Sequence, residues 1–233
     1  MRPFLDEQTS GLESDPARRA GDDADAIAEA EVHERLTITG VTTILLVRHG
    51  ETDWNRESRF QGHADPPLNE LGREQSRALA EQLADENLSA IYTSPLRRAR
   101  ETAEIVGAAL GLSVEDVPGL READVGSWSG LTIDEIRDRF PDGYRRWIDY
   151  RHGWDDGETY EEMGARVRQA LVELSESNPD GRLLTVTHGG PIRAALALAD
   201  RLAHSQARRQ GPPLQNCTLI QLAIVRGAFR RLD

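Results

Sequence analysis

The sequence predicts an α/β fold in which a mainly parallel sheet has helices on both faces. Two continuous runs, at residues 42–47 and 182–187, are rich in leucine, valine and threonine and lack regular polar alternation. This pattern is typical of strands that are buried on both sides. The stretches between them place apolar residues at helical spacing, and alternating strands and helices favour a parallel sheet. We therefore expect one domain over residues 41–233.

The other elements follow from local signals along this domain. Asn69 is a suitable N-cap for a helix with apolar residues along one face. Pro95 suits the first turn of a helix that continues to Leu110, and Gly111 should end it. Further helices are predicted over 132–139, 160–175 and 191–203. Further strands are predicted over 90–92, 112–117 and 217–225.

Residues 1–40 differ in composition from the rest of the chain. They carry ten acidic residues against four arginines, which supplies half of the net charge of −12. Large apolar residues are few, so burial cannot offset the entropy lost on ordering. We expect a mobile acidic extension, apart from a short helix over 25–35, with no part in the chemistry.

Composition excludes several classes of function. A net charge of −12 disfavours binding to nucleic acid or to anionic membranes. All 28 basic residues are arginine, so a P-loop lysine, a lysine Schiff base and pyridoxal phosphate chemistry are excluded. No apolar run approaches the roughly 18 residues of a membrane span. With one cysteine, Cys217, no internal disulfide can form, and we expect a cytoplasmic protein. Formation of a homodimer stays open.

Two of the predicted strands end in a similar way, and these ends are where ligands bind in open α/β sheets. One strand runs into His49 and Gly50, the other into His188 and Gly189. Arginines follow a third strand end, so histidines and arginines can meet at one edge of the sheet. A histidine at a strand end is often only structural, and a pair can also hold a metal. Against a metal, Arg48 adjoins His49 and no trio of ligands accompanies either histidine.

The motifs around these histidines resemble those of the histidine phosphatase superfamily, also called phosphoglycerate-mutase-like. Arg48-His49-Gly50 resembles the RHG signature of that family. Eight further segments resemble family motifs in the same order, and they lie at 54–55, 60–62, 67–72, 94–99, 120–122, 126–130, 157–159 and 187–190. The resemblance covers most of residues 43–222 and implies a phosphoglycerate-mutase-like fold.

The resemblance implies a role for each matching residue. His49 corresponds to the nucleophile that accepts the phosphoryl group, and Glu122 to the acid and base. The residues that correspond to the phosphate pocket are Arg48, Arg98 and a protonated His188, with Asn55, Gln61, Gly62 and Gly189 also binding substrate. Arg97 adjoins Arg98, which is assigned by motif position. The resemblance implies no cofactor and no metal.

The expected activity is the hydrolysis of a small phosphorylated metabolite. Cofactor-dependent mutases of the family carry a long insertion between the positions of Glu122 and His188, whereas only 65 residues lie between them here. Mutase-type phosphoryl transfer is the alternative. A catalytically inactive protein that binds a phosphorylated ligand is a more distant one, because both His49 and Glu122 are present.

An aromatic segment over residues 140–154 has two interpretations. Its rings lie at near-helical spacing, so it forms either a lid over the substrate or one ordinary helix packed on the core. Its cationic side chains either bind a second anionic group of the substrate or form a solvated face; they are Arg145, Arg146, Arg151 and His152.

Overall fold

The computed structural model describes residues 40–211 and 213–232. The predictions for residues 1–39 therefore lie outside the described residues. Residues 40–232 belong to one compact unit. No helix in these residues is long and apolar enough to cross a membrane.

The described residues contain one six-stranded sheet. Its strands are β1 (Val41–Arg48), β2 (Ala90–Thr93), β3 (Val114–Asp116), β4 (Arg182–Thr187), β5 (Leu219–Val225) and β6 (Ala228–Arg231), in the spatial order β3-β2-β4-β1-β5-β6. Neighbouring strands among β1 to β4 pair in parallel. Strand β5 is antiparallel to β1, and β6 is antiparallel to β5. The prediction of a mainly parallel sheet is confirmed.

The predicted helices are present and differ from the prediction chiefly at their ends, and the described part also contains short helices that were not predicted. They are α1 (Asp53–Arg56), α2 (Glu70–Gln82), α3 (Arg97–Leu110), α4 (Ile133–Arg139), α5 (Pro141–Ile148), α6 (Tyr160–Ser177), α7 (Gly189–Asp200) and α8 (His204–Gln210). The Asn69 side chain caps α2 by accepting a hydrogen bond from Gly72 at 2.8 Å. Gly111 ends α3 with a φ of 70°. The helix predicted over 191–203 begins earlier, at Gly189, and ends at Asp200.

Helices cover both faces of the sheet, as the apolar strands require. In β1, Leu45 and Val47 belong to one core cluster together with residues of α2 and α3. The alternate residues Ile44 and Leu46 belong to a second cluster with residues of α6 and α7. A strand with apolar side chains on both faces can lose water only between two such layers.

The aromatic segment at 140–154 packs mainly on the core. Phe140, Tyr144 and Trp147 are partly buried against the larger cluster, and Trp154 belongs to it. The rings of Trp128 and Trp154 meet edge-on with centroids 5.7 Å apart. This arrangement agrees with the interpretation of the segment as core packing.

Candidate active site

The topology brings the two strand-end histidines together. Strands β1 and β4 are parallel neighbours, with Arg48 opposite Thr187, so His49 and His188 follow at the same edge. Their ring centroids are 5.1 Å apart. Strand β2 is the other neighbour of β4 and ends next to Ser94, whose hydroxyl lies 2.8 Å from Nε2 of His188.

The environment of His49 fixes the proton on one nitrogen. Its Nδ1 lies 2.7 Å from the carbonyl oxygen of Gly50, and only a protonated Nδ1 can donate to that oxygen. Its Nε2 accepts a hydrogen bond from Nε of Arg98 at 3.3 Å. Burial, together with the charges of Arg98 and Arg48, lowers the pKa of His49 well below its usual value. The imidazole is therefore neutral and carries its lone pair on Nε2.

Two arginines, the buried Arg98 and the partly buried Arg48, act on His49 through their charges. Arg98 is 1% exposed, and its Nη1 and Nη2 donate to the carbonyls of Ala64 and Gly62 at 2.8 and 2.9 Å. Burial lowers the pKa of Arg98 to about 10, which leaves it charged at neutral pH. Arg48 donates through Nη1 to the carbonyl of Leu214. Arg97, in contrast, is exposed and pairs with Glu101 at 2.6 Å.

His188 differs from our expectation of a protonated side chain. It is 0% exposed, and burial together with Arg98, His49 and other cations lowers its pKa well below the usual value. It is therefore neutral in this structure. Its Nδ1 has no hydrogen-bond partner among the described residues.

Glu122 reaches the site from the loop after β3. Its Oε1 accepts hydrogen bonds from the backbone N–H of Ala123 at 2.9 Å and of Gly190 at 3.1 Å. A Cβ atom on Gly190 would lie 2.2 Å from this oxygen, so only glycine allows the approach. The Glu122 side chain is thus held at the first turn of α7, where backbone N–H groups are free of intrahelical partners.

A partly buried ion pair holds the backbone of this loop. Arg166 on α6 donates to both carboxylate oxygens of Glu158 at 2.6 Å. The same guanidinium donates to the carbonyls of Gly119, Arg121 and Glu122 at 2.7–2.9 Å. Sequence analysis noted the motif at 157–159 but assigned no role to Glu158 or Arg166.

His49, Arg98 and Glu122 line a cavity of about 220 Å³. The predicted site residues that line it are Arg48, His49, Asn55, Gln61, Gly62, Arg98, Glu122 and Gly189. His188 is fully buried and is not among the lining residues. Among the cavity residues farther along the chain, Trp154 belongs to the segment that sequence analysis interpreted as either a lid or core packing. Sequence analysis missed Tyr160, Arg193, His204 and Arg208. For Arg193 a signal existed, because it follows Gly189 by one helical turn and so shares its face.

The cationic residues of the 140–154 segment do not line the cavity. Arg145 pairs with Asp142 at 2.9 Å, and Arg146 pairs with Asp155. Arg151 is exposed, and His152 packs against the rings of Trp154 and Tyr160. Their arrangement agrees with the alternative of a largely solvated face. The described residues contain no group of three or more His, Cys, Asp or Glu side chains placed to hold a metal ion.

Comparison with known protein families identifies the family to which this chain belongs. The family model of the histidine phosphatase superfamily (branch 1) matches residues 44–232. The chain belongs to the histidine phosphatase superfamily. The resemblance inferred from the motifs is thereby confirmed, and with it the fold class.

Similar proteins of the superfamily include phosphatases. Phosphoserine phosphatase 1 of Hydrogenobacter thermophilus is 36% identical over 153 residues, which cover 65% of this chain and 72% of that protein. The solved mycobacterial glucosyl-3-phosphoglycerate phosphatase in complex with VO3 is 35% identical, with a TM-score of 0.73 over 82% of this chain and 97% of that one. The probable phosphoglycerate mutase GpmB of Photorhabdus laumondii is 34% identical over 76% of this chain and 82% of its own length. The family and its phosphatase members support a phosphomonoester hydrolase.

Proposed function

We propose that the chain hydrolyses a small phosphorylated metabolite in two steps through a phosphohistidine at His49. The observation that carries this proposal is the state of the His49 ring, which lines the cavity and whose Nδ1 proton is held by the Gly50 carbonyl, so that the lone pair is on Nε2. A neutral imidazole in this orientation is a nucleophile, and the carbonyl stabilises the positive charge that develops when Nε2 bonds to phosphorus.

The arginines supply the charge that phosphoryl transfer needs. Arg48 and Arg98 flank the nucleophile, and both line the cavity. The oxygen of the Asn55 amide is occupied by Thr52, which leaves its NH2 group to donate to a ligand. Transfer of a phosphoryl group is accelerated mainly by positioning and by stabilising charge on its equatorial oxygens. These side chains provide both.

Glu122 completes the reaction as acid and then as base. In the first step Nε2 of His49 bonds to phosphorus, the ester P–O bond breaks, and protonated Glu122 gives its proton to the leaving alkoxide. In the second step the Glu122 carboxylate takes a proton from water. The water oxygen bonds to phosphorus, the N–P bond breaks, and phosphate and neutral His49 are released.

Leaving-group dependence tests the roles of the two residues. His49→Ala should abolish turnover of every phosphomonoester. Glu122→Gln keeps the shape of the side chain but cannot donate a proton, so phosphohistidine formation from an alkyl phosphate should slow by about 10²- to 10⁴-fold. The loss with p-nitrophenyl phosphate should be much smaller, because p-nitrophenolate leaves without protonation.

Rapid-quench measurement of phosphohistidine separates the two steps. The matched control is Glu104→Gln, since Glu104 is an exposed carboxylate that pairs with Arg100 on α3, and its rates should equal those of the native chain. Equal losses for both leaving groups in Glu122→Gln would refute the assignment of Glu122 as the acid. Full turnover by His49→Ala would refute the assignment of His49 as the nucleophile.

A further inference from the structure

His63 lies in the turn that holds Arg98, and its side chain has no part in the two reaction steps proposed above. The residues on either side of it, Gly62 and Ala64, accept hydrogen bonds from the Arg98 guanidinium through their carbonyls at 2.9 and 2.8 Å. The turn is therefore already engaged with one of the groups that flank the nucleophile. The question is what the His63 ring itself binds.

The His63 ring binds the backbone of Glu122. Its Nε2 lies 2.9 Å from the carbonyl oxygen of Glu122. Because a carbonyl oxygen can only accept, Nε2 carries a proton and donates it. The other ring nitrogen, Nδ1, lies 3.8 Å from Oδ2 of Asp124, which is too far for a hydrogen bond. The described residues thus offer this ring one hydrogen bond, and it goes to the residue proposed as the acid.

The hydrogen bond from His63 acts on the Glu122 carboxylate through a single peptide unit. The carbonyl of Glu122 and the N–H of Ala123 belong to the same peptide group, which is planar. That N–H donates to Oε1 of the Glu122 side chain at 2.9 Å. A tilt of the plane moves the carbonyl and the N–H together. By holding the carbonyl, His63 therefore also fixes the direction from which the N–H meets the carboxylate.

The Glu122 carbonyl has a second donor. Arg166 on α6 donates to it through Nη2 at 2.8 Å. A carbonyl oxygen has two lone pairs, so both donors can be accommodated. If His63 is replaced, the carbonyl keeps Arg166 and is not left as a buried acceptor without a partner. A substitution at His63 should thus change the orientation of the peptide more than the stability of the fold.

The turn of His63 and the loop of Glu122 are in close contact. A Cβ atom on Gly62 would lie 2.6 Å from Cγ2 of Val125 and 3.1 Å from its backbone nitrogen. The His63 side chain is 35% exposed and so lies at the edge of this contact. The same turn accepts hydrogen bonds from Arg98 and donates one to the Glu122 backbone. It therefore connects a cation of the cavity with the acid.

We propose that His63 is a positioning residue, which directs the Glu122 carboxylate by holding the peptide between Glu122 and Ala123. This inference rests on the proposed function, in which Glu122 protonates the leaving alkoxide. The acid must lie within hydrogen-bond reach of the leaving oxygen, and a small misplacement slows the reaction. Loss of the His63 hydrogen bond should therefore slow the step that needs the acid and leave Arg98 in place.

Three substitutions separate the hydrogen bond of His63 from the size of its side chain. Leucine is similar in size but has no donor. The amide nitrogen of glutamine can reach the place of Nε2, whereas that of asparagine ends near the place of Nδ1. The probe is whichever of glycerol 3-phosphate, glucose 6-phosphate and O-phosphoserine the native chain converts fastest. His63→Leu and His63→Asn should slow phosphohistidine formation from it by about three- to tenfold, and His63→Gln by less than about twofold.

The leaving group provides a readout that a purely structural role of His63 would not produce. p-Nitrophenolate leaves without protonation, so phosphohistidine formation from p-nitrophenyl phosphate should stay within about twofold of the native rate in all three variants. Competitive inhibition by inorganic phosphate should also be unchanged, because Arg98 keeps its place. Equal losses with both esters, or weaker inhibition by phosphate, would overturn the inference. So would native rates in His63→Leu, or a rate in His63→Gln no higher than in His63→Leu.

Glu122→Gln, measured with the same two esters, separates this inference from the proposed function. If Glu122→Gln selectively loses the rate with the alkyl phosphate while the His63 variants keep it, only the inference about His63 fails. If Glu122→Gln loses both rates equally, Glu122 is not the acid and the proposed function fails. If the native chain forms no phosphohistidine from any of these esters, the proposed function fails as well.

Discussion

Replacing Arg166 with methionine tests whether the ion pair with Glu158 holds the loop that carries Glu122. The substitution removes two charge-assisted hydrogen bonds to Glu158 and three hydrogen bonds to backbone carbonyls. It also leaves the Glu158 carboxylate, which is 17% exposed, without its partner. Breaking a fully buried pair on one side costs about 3–5 kcal/mol. Because this pair is partly solvated, we expect a loss of about 2–4 kcal/mol in the free energy of unfolding.

Urea denaturation and thermal melting measure this loss. For a domain of this size the expected decrease in Tm is about 5–15 °C. Arg168→Met is the matched control, since Arg168 is exposed two residues away on the same helix and should change stability by less than about 0.5 kcal/mol. The double variant Glu158→Leu with Arg166→Met should recover part of the loss, because no unpaired charge remains. Equal stability of Arg166→Met and Arg168→Met would refute the reasoning.

Three further predictions concern pH, metals and transfer. Burial lowers the pKa of His49 and His188 well below the usual value and lowers that of His204 to about 4. Below about pH 6.5 the unfolded chain therefore binds more protons than the folded chain, and the free energy of unfolding decreases as the pH falls. His204→Gln should reduce the slope of unfolding free energy between pH 6 and 5 by about 1.2 kcal/mol per pH unit, and an unchanged slope in denaturation curves would contradict this. Hydrolysis of p-nitrophenyl phosphate should persist in excess EDTA, whereas a loss that Mg²⁺ or Zn²⁺ reverses would show a metal requirement. With 3-phosphoglycerate and a bisphosphoglycerate primer, any product should be free phosphate, and 2-phosphoglycerate forming faster than phosphate would favour a mutase.

Much of the fold could be predicted from the sequence because its central strands are continuous apolar runs. β4 was predicted with the bounds that the structure shows, Arg182–Thr187. The short elements were missed. α1 has four residues and depends on the capping box between Thr52 and Asn55. β6 depends on a tight turn with positive φ at Arg226 and Gly227, and its four residues bury little apolar surface.

The part of the cavity beside His49 could also be predicted from the sequence, because strand ends converge in a parallel sheet. The contribution of Arg208 to the lining could not. Arg208 lies on α8, a helix of seven residues, and is followed directly by Arg209. In sequence, adjacent arginines on a short helix are typical of a solvated surface. Only tertiary packing places the Arg208 guanidinium over the Tyr160 ring, which starts a different helix. The arginines of the 140–154 segment looked equivalent in sequence, yet nearby carboxylates and carbonyls bind two of them at the surface.

Helix α7 has a consequence for anyone who wishes to redesign the specificity of this enzyme. Its N-cap is His188, its second residue donates a backbone hydrogen bond to Glu122, and its fifth residue is Arg193. A small tilt of this helix would therefore move His188, the backbone donor to Glu122 and the Arg193 side chain together. Substitutions that shift α7 would thus change several parts of the cavity at once. Variation on α8, around Arg208, would change the lining of the cavity from an element that carries neither His49 nor Glu122.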